Sequence, residues 1–550
     1  MINLALEIRT KLQNFYKKQQ FQQIEKEIET FKDLDDLPPD IKMLYAVSKS
    51  LNPHSKQKDL IVASYFFEKV FVINKSNLEP FYNLILSSVR SAFFDYLEPH
   101  INEQYKKNNK DPKILEGLAK MHTCYGNMVA VSFYYRELIK IKSGYINAWT
   151  SLLSSFNYHE KVNQIQYLDY CKKFDQLPNE KLKKIKKKHP KGKIKLGFFS
   201  ADFKIHSVSF FLENIISKID KNQFELYAIS NLEIDKHDVM TNDLKKIFDN
   251  WNDTADLSDD EFIELTRNLD LDILFDLSGY FSGNRIQAFR ARCAAVQVSW
   301  LGYCNSLGVE NMDYLIADKN LILKDEQEQY SEEVLYMPNI WSTISLPKNL
   351  DQIIIKQNKK NNIFTYGSFN NFEKISESVL KVWSKILNES NTRLILKNSS
   401  GKNSKRLNEI ILDRFKNEKV DVKKITILSP TLTREEHLDC YNQIDLALDT
   451  FPYPGVTTTF ESILMGVPVL TKKGFNFISR SGVSINLNLD MHEFIAENED
   501  DYFKKAIEAQ SKTKLLYELK LTLRSKFSKS DVFDSKKFTV DFSNLIKTLL

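Results

Sequence analysis

The sequence predicts an N-terminal all-α region followed by two doubly wound α/β halves. Residues 1–180 contain few glycines and many helix-forming residues, and their aromatic side chains recur at helical spacing. From residue 193 onward, short β-rich runs alternate with amphipathic helical patterns. Such alternation is typical of parallel sheets with crossover helices, and two such sheets leave a ligand cleft at the carboxyl ends of their strands.

The helical region also has an internal period of 34 residues. The segments SYFFEKVFVINKSNLEPFYNLIL and SFYYRELIKIKSGYINAWTSLL begin at Ser64 and Ser132, which are two such periods apart. Three leucines have the same spacing, namely Leu84, Leu118 and Leu152. The tetratricopeptide helix pair has this period and buries its apolar face by stacking on a neighbouring pair. We therefore predict degenerate tetratricopeptide-like repeats, which form a superhelix with a groove for extended peptide.

The alternating pattern divides the rest of the chain. Strand-like runs begin with KIKLGFFSAD in the first half and with FTYGSF in the second, and polar residues with Pro347 separate the halves. A chain of 550 residues is long enough for several compact cores. The predicted domains are helical repeats at 1–180, a basic linker at 181–192, α/β halves at 193–345 and 346–520, and C-terminal helices at 521–550.

Composition restricts the partners of this chain. Its 77 basic and 72 acidic residues leave a net charge of only +5, and much of the excess lies in the run Lys181–Lys195. A nucleic-acid surface needs a wide basic face, so none is predicted. The five cysteines form no CxxC pair, and the sequence has neither a cleavable leader nor an apolar stretch of membrane-spanning length. We expect a soluble cytoplasmic protein.

The segment Leu448–Glu461, LDTFPYPGVTTTFE, predicts a strand, a turn and the start of a helix. A helix N-terminus presents N–H groups and a partial positive charge to an anion such as a diphosphate. Gly455 would let the backbone approach this anion closely, and Thr457 and Thr458 would add hydroxyl donors. One turn into the helix, Glu461 would accept hydrogen bonds from ribose hydroxyls. The alternative is an ordinary capped helix that binds no ligand.

Two further strand–loop–helix units lie in the second half. In GSFNNFEKIS, Asn371 is a candidate donor and Lys374 a mobile cation that neutralises a β-phosphate as the sugar bond breaks. In SPTLTREEHL, Arg434 and His437 are candidates for stacking on or bonding to a base, whose edge the backbone of Leu432 reads. The alternatives are a solvated lysine on a first helical turn and a helix histidine with a structural partner.

The first half contributes one candidate histidine. His206, in SADFKIHSVSF, follows the strand KLGFFS at the rim of the proposed cleft, where it can deprotonate or orient an acceptor hydroxyl. A lone histidine in such a loop is otherwise structural. Asp270 and Asp272 have the spacing of a metal-binding DxD pair, but we interpret them as polar residues at a strand edge. We expect a metal-independent reaction, in which Lys374 and helix dipoles replace a divalent ion.

Several motifs occur in a consistent order over Leu118–Ser511. They include GYINAWTSLLSSFNYHEKV, SADFKIHSVSF, DLSGYFSGNR, AVQVSWLGY, FNNFEKI, SPTLTREEH, LDTFPYPGVTTTFESILMGVPVLT and SRSG. Together they resemble the protein O-linked N-acetylglucosamine transferases, with their bacterial relatives and the plant-type protein O-fucosyltransferases. This resemblance implies a GT-B fold, inverting transfer from a nucleotide sugar to Ser/Thr hydroxyls, and tetratricopeptide repeats that bind acceptors.

The resemblance also implies roles for individual residues. By position, His206 matches the family's active-site histidine and Lys374 its diphosphate-binding lysine, while His437 matches the residue beside the base. The family's phosphate-contacting threonine pair corresponds to Thr457 and Thr458.

Five positions depart from the family pattern. Asn371 stands where many members have Gln, and Arg434 where some have Lys. Animal members have His, Asp and His at the positions of Val456, Glu461 and Asp272, respectively. Val456 lacks the side-chain donor of that histidine, so the donor sugar stays open.

We predict an inverting transferase that moves N-acetylglucosamine from UDP-N-acetylglucosamine to Ser/Thr hydroxyls of proteins. It would need neither a metal nor another cofactor, and it would act in a bacterial cytoplasm. One alternative is the same fold with another donor, such as GDP-fucose or UDP-glucose, and with an O- or N-linked product. The other is a non-catalytic repeat scaffold that senses a nucleotide sugar.

Overall fold

The chain folds into two compact units. The computed structural model describes residues 6–179, 185, 192–347, 350–356, 363–397 and 405–550. One unit comprises Met1–Leu152 with Ser404–Ile410, and the other comprises Leu153–Asn403 with Ile411–Leu550. The predicted basic linker at 181–192 lies outside the described residues, except for positions 185 and 192. None of the described helices combines the length and the apolar character that a membrane crossing requires.

The first unit is helical, as the composition of residues 1–180 predicts. Proline in the first turn starts several of its helices, and Asp111 caps α7 by accepting hydrogen bonds from the N–H groups of Lys113 and Ile114. The 34-residue period marks core positions, because Leu84, Leu118 and Leu152 are all fully buried. The helices are α1 (Leu6–Lys17), α2 (Phe21–Ile28), α3 (Pro39–Leu51), α4 (Gln57–Ile73), α5 (Glu79–Ser91), α6 (Glu98–Lys107), α7 (Pro112–Cys124), α8 (Met128–Ile141) and α9 (Ile146–Phe156).

The second unit begins with helical residues that pack on its first α/β half. In α10 (Gln164–Asp175), the hydroxyl of Tyr167 lies 2.8 Å from that of Tyr303 and donates to the carbonyl of Ser306. Gln164 donates to the side chain of Asn305. The last helix of the predicted 1–180 region therefore belongs to the α/β unit, since its polar side chains are satisfied there.

The first α/β half contains a seven-stranded parallel sheet in the order β3-β2-β1-β4-β5-β6-β7. Its strands are β1 (Ile194–Ser200), β2 (Phe224–Ser230), β3 (Asn250–Asp253), β4 (Ile273–Asp276), β5 (Val296–Ser299), β6 (Tyr314–Asp318) and β7 (Glu333–Met337). The helices between them are α11 (Ser207–Ile216), α12 (Val239–Ile247), α13 (Asp259–Asn268) and α14 (Ile286–Ala291). The strand order reverses between β1 and β4.

The second half contains a six-stranded parallel sheet in the order β10-β9-β8-β11-β12-β13. Its strands are β8 (Thr365–Ser368), β9 (Arg393–Lys397), β10 (Ile425–Leu428), β11 (Leu446–Leu448), β12 (Val469–Lys472) and β13 (Ile495–Ala496). The helices are α15 (Glu377–Glu389), α16 (Lys405–Asn417), α17 (Arg434–Asp439), α18 (Thr457–Leu464), α19 (Ser481–Leu487) and α20 (Glu499–Ala509). Here the strand order reverses between β8 and β11, so the prediction of two doubly wound halves is confirmed.

The C-terminal helices contact both α/β halves. In α21 (Thr513–Ser528), the guanidinium of Arg524 donates to the carbonyls of Leu464 and Ile353 in the second half. In α22 (Ser535–Lys547), the ring of Phe542 stacks on Trp300 of the first half, with centroids 4.6 Å apart. The last helix therefore returns to the first sheet.

A buried ion pair also joins the two halves. Arg480 donates from two guanidinium nitrogens to Glu326, at 2.5 and 2.7 Å, and both side chains are mostly buried. Burial alone would raise the pKa of Glu326, but the hydrogen bonds and charge of Arg480 lower it. Nearby, Ser484 donates to the buried carboxylate of Asp318 at 2.7 Å. The motif SRSG therefore forms part of the interface between the halves.

We predict that Arg480→Ala destabilises the protein by about 3–5 kcal/mol, because it leaves the carboxylate of Glu326 buried without its cation. The free energy of urea unfolding measures this loss. Lys473→Ala is the matched control, because it removes an exposed ion pair with Glu497 and should change stability by less than about 0.5 kcal/mol. Equal effects of the two substitutions would contradict the importance of the buried pair.

Candidate functional site

The predicted site residues follow strands at the two points where strand order reverses. The loop with His206 follows β1, the loop with Lys374 follows β8, and the loop that ends at Gly455 follows β11. In doubly wound sheets, ligands bind outside the carboxyl ends of the strands at these points. The topology therefore supports the predicted position of the cleft.

A buried carboxylate organises the loop after β11. Asp449 is 1% exposed and accepts hydrogen bonds from the N–H groups of Gly455, at 2.7 Å, and Thr450, at 3.0 Å. It also accepts from the hydroxyl of Thr471 at 2.9 Å and from the amide of Asn370 at 3.4 Å. Burial raises the pKa of Asp449 to about 6 in spite of these bonds. The carboxylate thus ties together three separate chain segments.

The N-terminus of α18 faces this loop at close range. A Cβ atom on Gly455 would lie 2.1 Å from the hydroxyl of Thr458, so only glycine fits here. The hydroxyl of Thr458 donates to Asn370 at 3.1 Å. Because Val456 precedes α18 and provides no side-chain cap, the first turn of the helix retains backbone donors for an anion. Thr457 begins the helix and is partly exposed.

Lys374 lies beside the same loop. Its ammonium donates to the carbonyl of Pro454 at 2.9 Å and lies 4.1 Å from the ring centroid of Tyr453. Burial lowers the pKa of Lys374 to about 8, although the charge of Asp449 opposes this shift. The lysine is therefore still mostly protonated at neutral pH, and it places a cation next to the N-terminus of α18.

A second buried carboxylate holds the residues predicted to contact a base. Glu461 is 5% exposed, lies 3.2 Å from Nε2 of His437 and accepts a hydrogen bond from Nε of Arg434 at 3.3 Å. Burial would raise the pKa of Glu461, but His437 and Arg434 lower it below its ordinary value. Lys397 lies 2.6 Å from Nδ1 of His437. Since an ammonium only donates, Nδ1 accepts and the ring proton lies on Nε2, facing Glu461.

Arg434 connects this cluster to the first half. Its guanidinium stacks on Phe210, 4.2 Å from the ring centroid, while Nε is bonded to Glu461. Phe210 lies in α11, one turn beyond His206. The side chain of Leu432 is 96% exposed, and its N–H group donates to the carboxylate of Glu436 at 2.9 Å. The N–H of Leu432 is thus already engaged within the loop.

His206 caps the helix that carries Phe210. Its Nδ1 accepts a long hydrogen bond of 3.4 Å from the N–H of Val208, which favours the tautomer protonated at Nε2. Burial lowers the pKa of His206, while Asp202, whose carboxylate lies 3.7 Å from Nδ1, opposes the shift. The adjacent N–H of Ile205 donates to Asp238 at 2.7 Å. The ring is therefore held by a structured loop.

A family model covers this site. The model of glycosyl transferase family 41 matches residues 167–361 and 355–542, which together make up more than half of the chain. The chain belongs to glycosyl transferase family 41. The resemblance stated from the motifs is therefore confirmed.

Several curated relatives of this family 41 chain come from plants. The Solanum lycopersicum protein named Probable UDP-N-acetylglucosamine–peptide N-acetylglucosaminyltransferase SPINDLY is 29% identical over 420 residues, which are 75% of this chain and 45% of that protein. The protein of the same name from Eustoma exaltatum is 31% identical over 359 residues, which are 64% of this chain and 38% of that protein. The chain spans less than half the length of these relatives.

A solved structure has the same fold. A mutant of the Thermobaculum terrenum O-GlcNAc transferase superposes with a TM-score of 0.81 at 23% identity, over 94% of this family 41 chain and 98% of that chain. This likeness, together with the two parallel sheets, confirms the predicted helical region followed by a GT-B fold.

Three residues at the site of this family 41 chain were not singled out from its sequence. Lys397 ends β9 and Asp449 directly follows β11, both of which sequence patterning predicts. A polar residue at the carboxyl end of a buried strand is the signal that indicates them. The third is Asn370, which joins Thr458 to Asp449, whereas the predicted Asn371 directly precedes the short helix Phe372–Lys374.

Asp272 lies at the amino end of the strands of the first sheet, on the side opposite to the proposed cleft. It precedes β4, and its carboxylate accepts a hydrogen bond from the N–H of Lys195 near the start of β1 at 2.8 Å. This contact agrees with a polar role at a strand edge, and the position is remote from the carboxyl ends of the strands. Within the described ranges, no three His, Cys, Asp or Glu side chains are grouped so that they could hold a metal ion.

We predict that Asp449→Asn removes a pH dependence of stability. The folded pKa of about 6 lies above the unfolded value of about 3.9, so the folded state binds the proton more tightly. Wild-type stability relative to this variant should therefore fall by roughly 2–3 kcal/mol as pH rises from about 4 to 7. Unfolding free energies of both proteins across this range measure the difference.

Asp220→Asn is a control for which the pH dependence of stability should have the opposite sign. Hydrogen bonds from Gln223 and from the N–H of Asn222 lower the pKa of Asp220, so wild-type stability relative to that variant should rise with pH. A stability difference for Asp449→Asn that does not vary with pH would contradict a buried carboxylate of raised pKa.

Proposed function

We propose that the chain is an inverting glycosyltransferase that moves N-acetylglucosamine from UDP-N-acetylglucosamine to Ser/Thr hydroxyls of proteins. The observation that carries this proposal is the Lys374 ammonium beside Gly455 and the uncapped N-terminus of α18. When the bond between sugar and phosphate breaks, its electron pair stays on the phosphate oxygen, so the nucleoside diphosphate gains one negative charge. A fixed cation with oriented N–H donors stabilises that charge as it develops. The names of the plant relatives support the choice of sugar and acceptor.

The cluster around Glu461 would hold the nucleoside. We propose that the ribose hydroxyls donate hydrogen bonds to Glu461, which also keeps its contacts with His437 and Arg434. The base would lie against the side chains of these two residues. Because both ring nitrogens of His437 already have partners, the ring face is the part that can stack on a base. The carbonyl of Leu432 would complete the recognition of the base edge, and Asn371 would donate to the diphosphate.

The acceptor would enter from the side of the first half. We propose that His206 orients the acceptor hydroxyl, since its lowered pKa keeps the ring neutral and its tautomer presents a donor at Nε2. The helical region would bind acceptor proteins through tetratricopeptide-like repeats. We further propose that the reaction takes place in a bacterial cytoplasm and involves neither nucleic acid nor a membrane.

A different donor is the second candidate, and one residue favours it. Val456 occupies the N-cap of α18 without a side-chain donor, at the position where animal members of the family have histidine. A panel of UDP-N-acetylglucosamine, UDP-glucose and GDP-fucose, with released nucleotide and peptide mass as readouts, tests the choice. Turnover with another donor alone would replace the proposed sugar. Binding of UDP without turnover by any donor would indicate a sensor.

We predict that Lys374→Ala lowers kcat by about 100- to 1000-fold, because the departing diphosphate loses its cation. Lys385→Ala is the matched control, since Lys385 also lies over an aromatic ring, 4.0 Å from the centroid of Phe503 in the same half, and should leave kcat unchanged. Transfer to a peptide library measures both variants. An active Lys374→Ala variant would refute the mechanism.

Wild-type turnover should persist in EDTA, since we propose that no metal is required.

A further inference from the structure

Three of the four residues after α9 contact remote parts of the α/β unit. This segment, Asn157–Glu160, lies between α9 and α10 and precedes the residues that the family model matches. Asn157 donates to the hydroxyl of Tyr303 at 2.9 Å and accepts from the amide of Asn305 at 2.8 Å. All three of these side chains are buried, so the segment is anchored on the first α/β half.

The same segment reaches the second half at its other end. The carboxylate of Glu160 accepts a hydrogen bond from the N–H of Ser378 at 3.0 Å, in the first turn of α15. Ser376 caps this helix through the N–H of Val379, so Glu160 satisfies another donor of the same helix end. This helix end follows Lys374 by only a few residues. Glu160 therefore fixes the backbone next to the catalytic lysine.

Between these two anchors, Tyr158 packs on the residue that supports Lys374. The rings of Tyr158 and Tyr453 have centroids 4.7 Å apart and an interplanar angle of 50°. The ammonium of Lys374 lies 4.1 Å from the Tyr453 centroid and donates to the next carbonyl, that of Pro454. An ammonium over a desolvated aromatic ring is held by the ring's electrostatic field, and this attraction depends on the position of the ring. Tyr158 thus contacts the ring that lies against the Lys374 ammonium.

We propose that Tyr158 is a positioning residue for transfer: it holds the ring of Tyr453, which in turn keeps the ammonium of Lys374 against the Pro454 carbonyl. This proposal rests on the proposed function only in its predicted effect on kcat. Tyr158 acts through Tyr453 and contributes no group to the reacting atoms. The segment Asn157–Glu160 between α9 and α10 is therefore part of the support of the diphosphate site.

Kinetics of three variants test the proposal. Tyr158→Leu should lower kcat about 10- to 100-fold and leave KM for the donor within about threefold, because a misplaced Lys374 retains part of its effect on the leaving group. Tyr158→Phe retains the ring and should restore kcat. Tyr170→Leu is the control, since Tyr170 packs edge-on against Phe156 with centroids 5.1 Å apart and should leave kcat unchanged. Equal losses in Tyr158→Leu and Tyr170→Leu would overturn the proposal.

A second measurement does not require turnover. Competitive labelling with acetic anhydride, followed by mass spectrometry across pH, reports the pKa of Lys374, which burial holds near 8. Tyr158→Leu should raise this pKa by at least about one unit as water reaches the ammonium, and Tyr158→Phe should not. An unchanged labelling profile in Tyr158→Leu overturns the proposal, whatever the kinetics.

The kinetic and labelling experiments distinguish a failure of the proposed function from a failure of the positioning role of Tyr158. If no donor is turned over by the wild type but Tyr158→Leu raises the pKa of Lys374, the proposed function fails and the positioning role stands. If Tyr158→Leu does not fold, Tyr453→Leu removes the same support from the other side of the stack. An unchanged labelling profile in that variant would likewise overturn the proposal.

Discussion

The buried carboxylate of Asp449 is the interaction on which the candidate site depends. Its oxygens accept hydrogen bonds from the end of the FPYPG loop, from β12 and from the loop after β8. Asp449 thus holds the N–H of Gly455 beside Asn370, whose side chain accepts a hydrogen bond from the hydroxyl of Thr458. Asp449 also provides negative charge near Lys374. One side chain therefore sets both the geometry and the electrostatics of the predicted anion site.

The same physical arrangement recurs at the nucleoside end of the cleft. Glu461 is a buried carboxylate surrounded by donors from another segment, in this case Arg434 and His437. A buried charge is costly unless it is paired and hydrogen-bonded, so each carboxylate holds its partners firmly. The consequence for binding is preorganisation, because the polar groups are oriented before a ligand arrives. Tyr158 extends this support with an aromatic contact.

Sequence patterning predicted the buried strands of both sheets, including β11 with only three residues, and missed edge strands such as β3 and β13. β1 and β2 are apolar runs of seven residues, and such runs are recognisable without a structure. β3, with the sequence NWND, is a polar edge strand, and β13 has only two residues. Both strands form because a neighbouring strand supplies the hydrogen-bond partners. Asn370 and Lys397 were missed for a similar reason, since their partners lie far away in the chain.

The sequence by itself determined the alternation of strands and helices, the order of the motifs and the family to which the chain belongs. These properties depend on periodicity and on residues that are near each other along the chain. Only the tertiary structure decided that both ring nitrogens of His437 are engaged, that α10 belongs to the α/β unit and that Tyr158 supports Lys374 through Tyr453. Each of these properties is a contact between segments remote in sequence, and the packing of the fold alone determines which remote side chains meet.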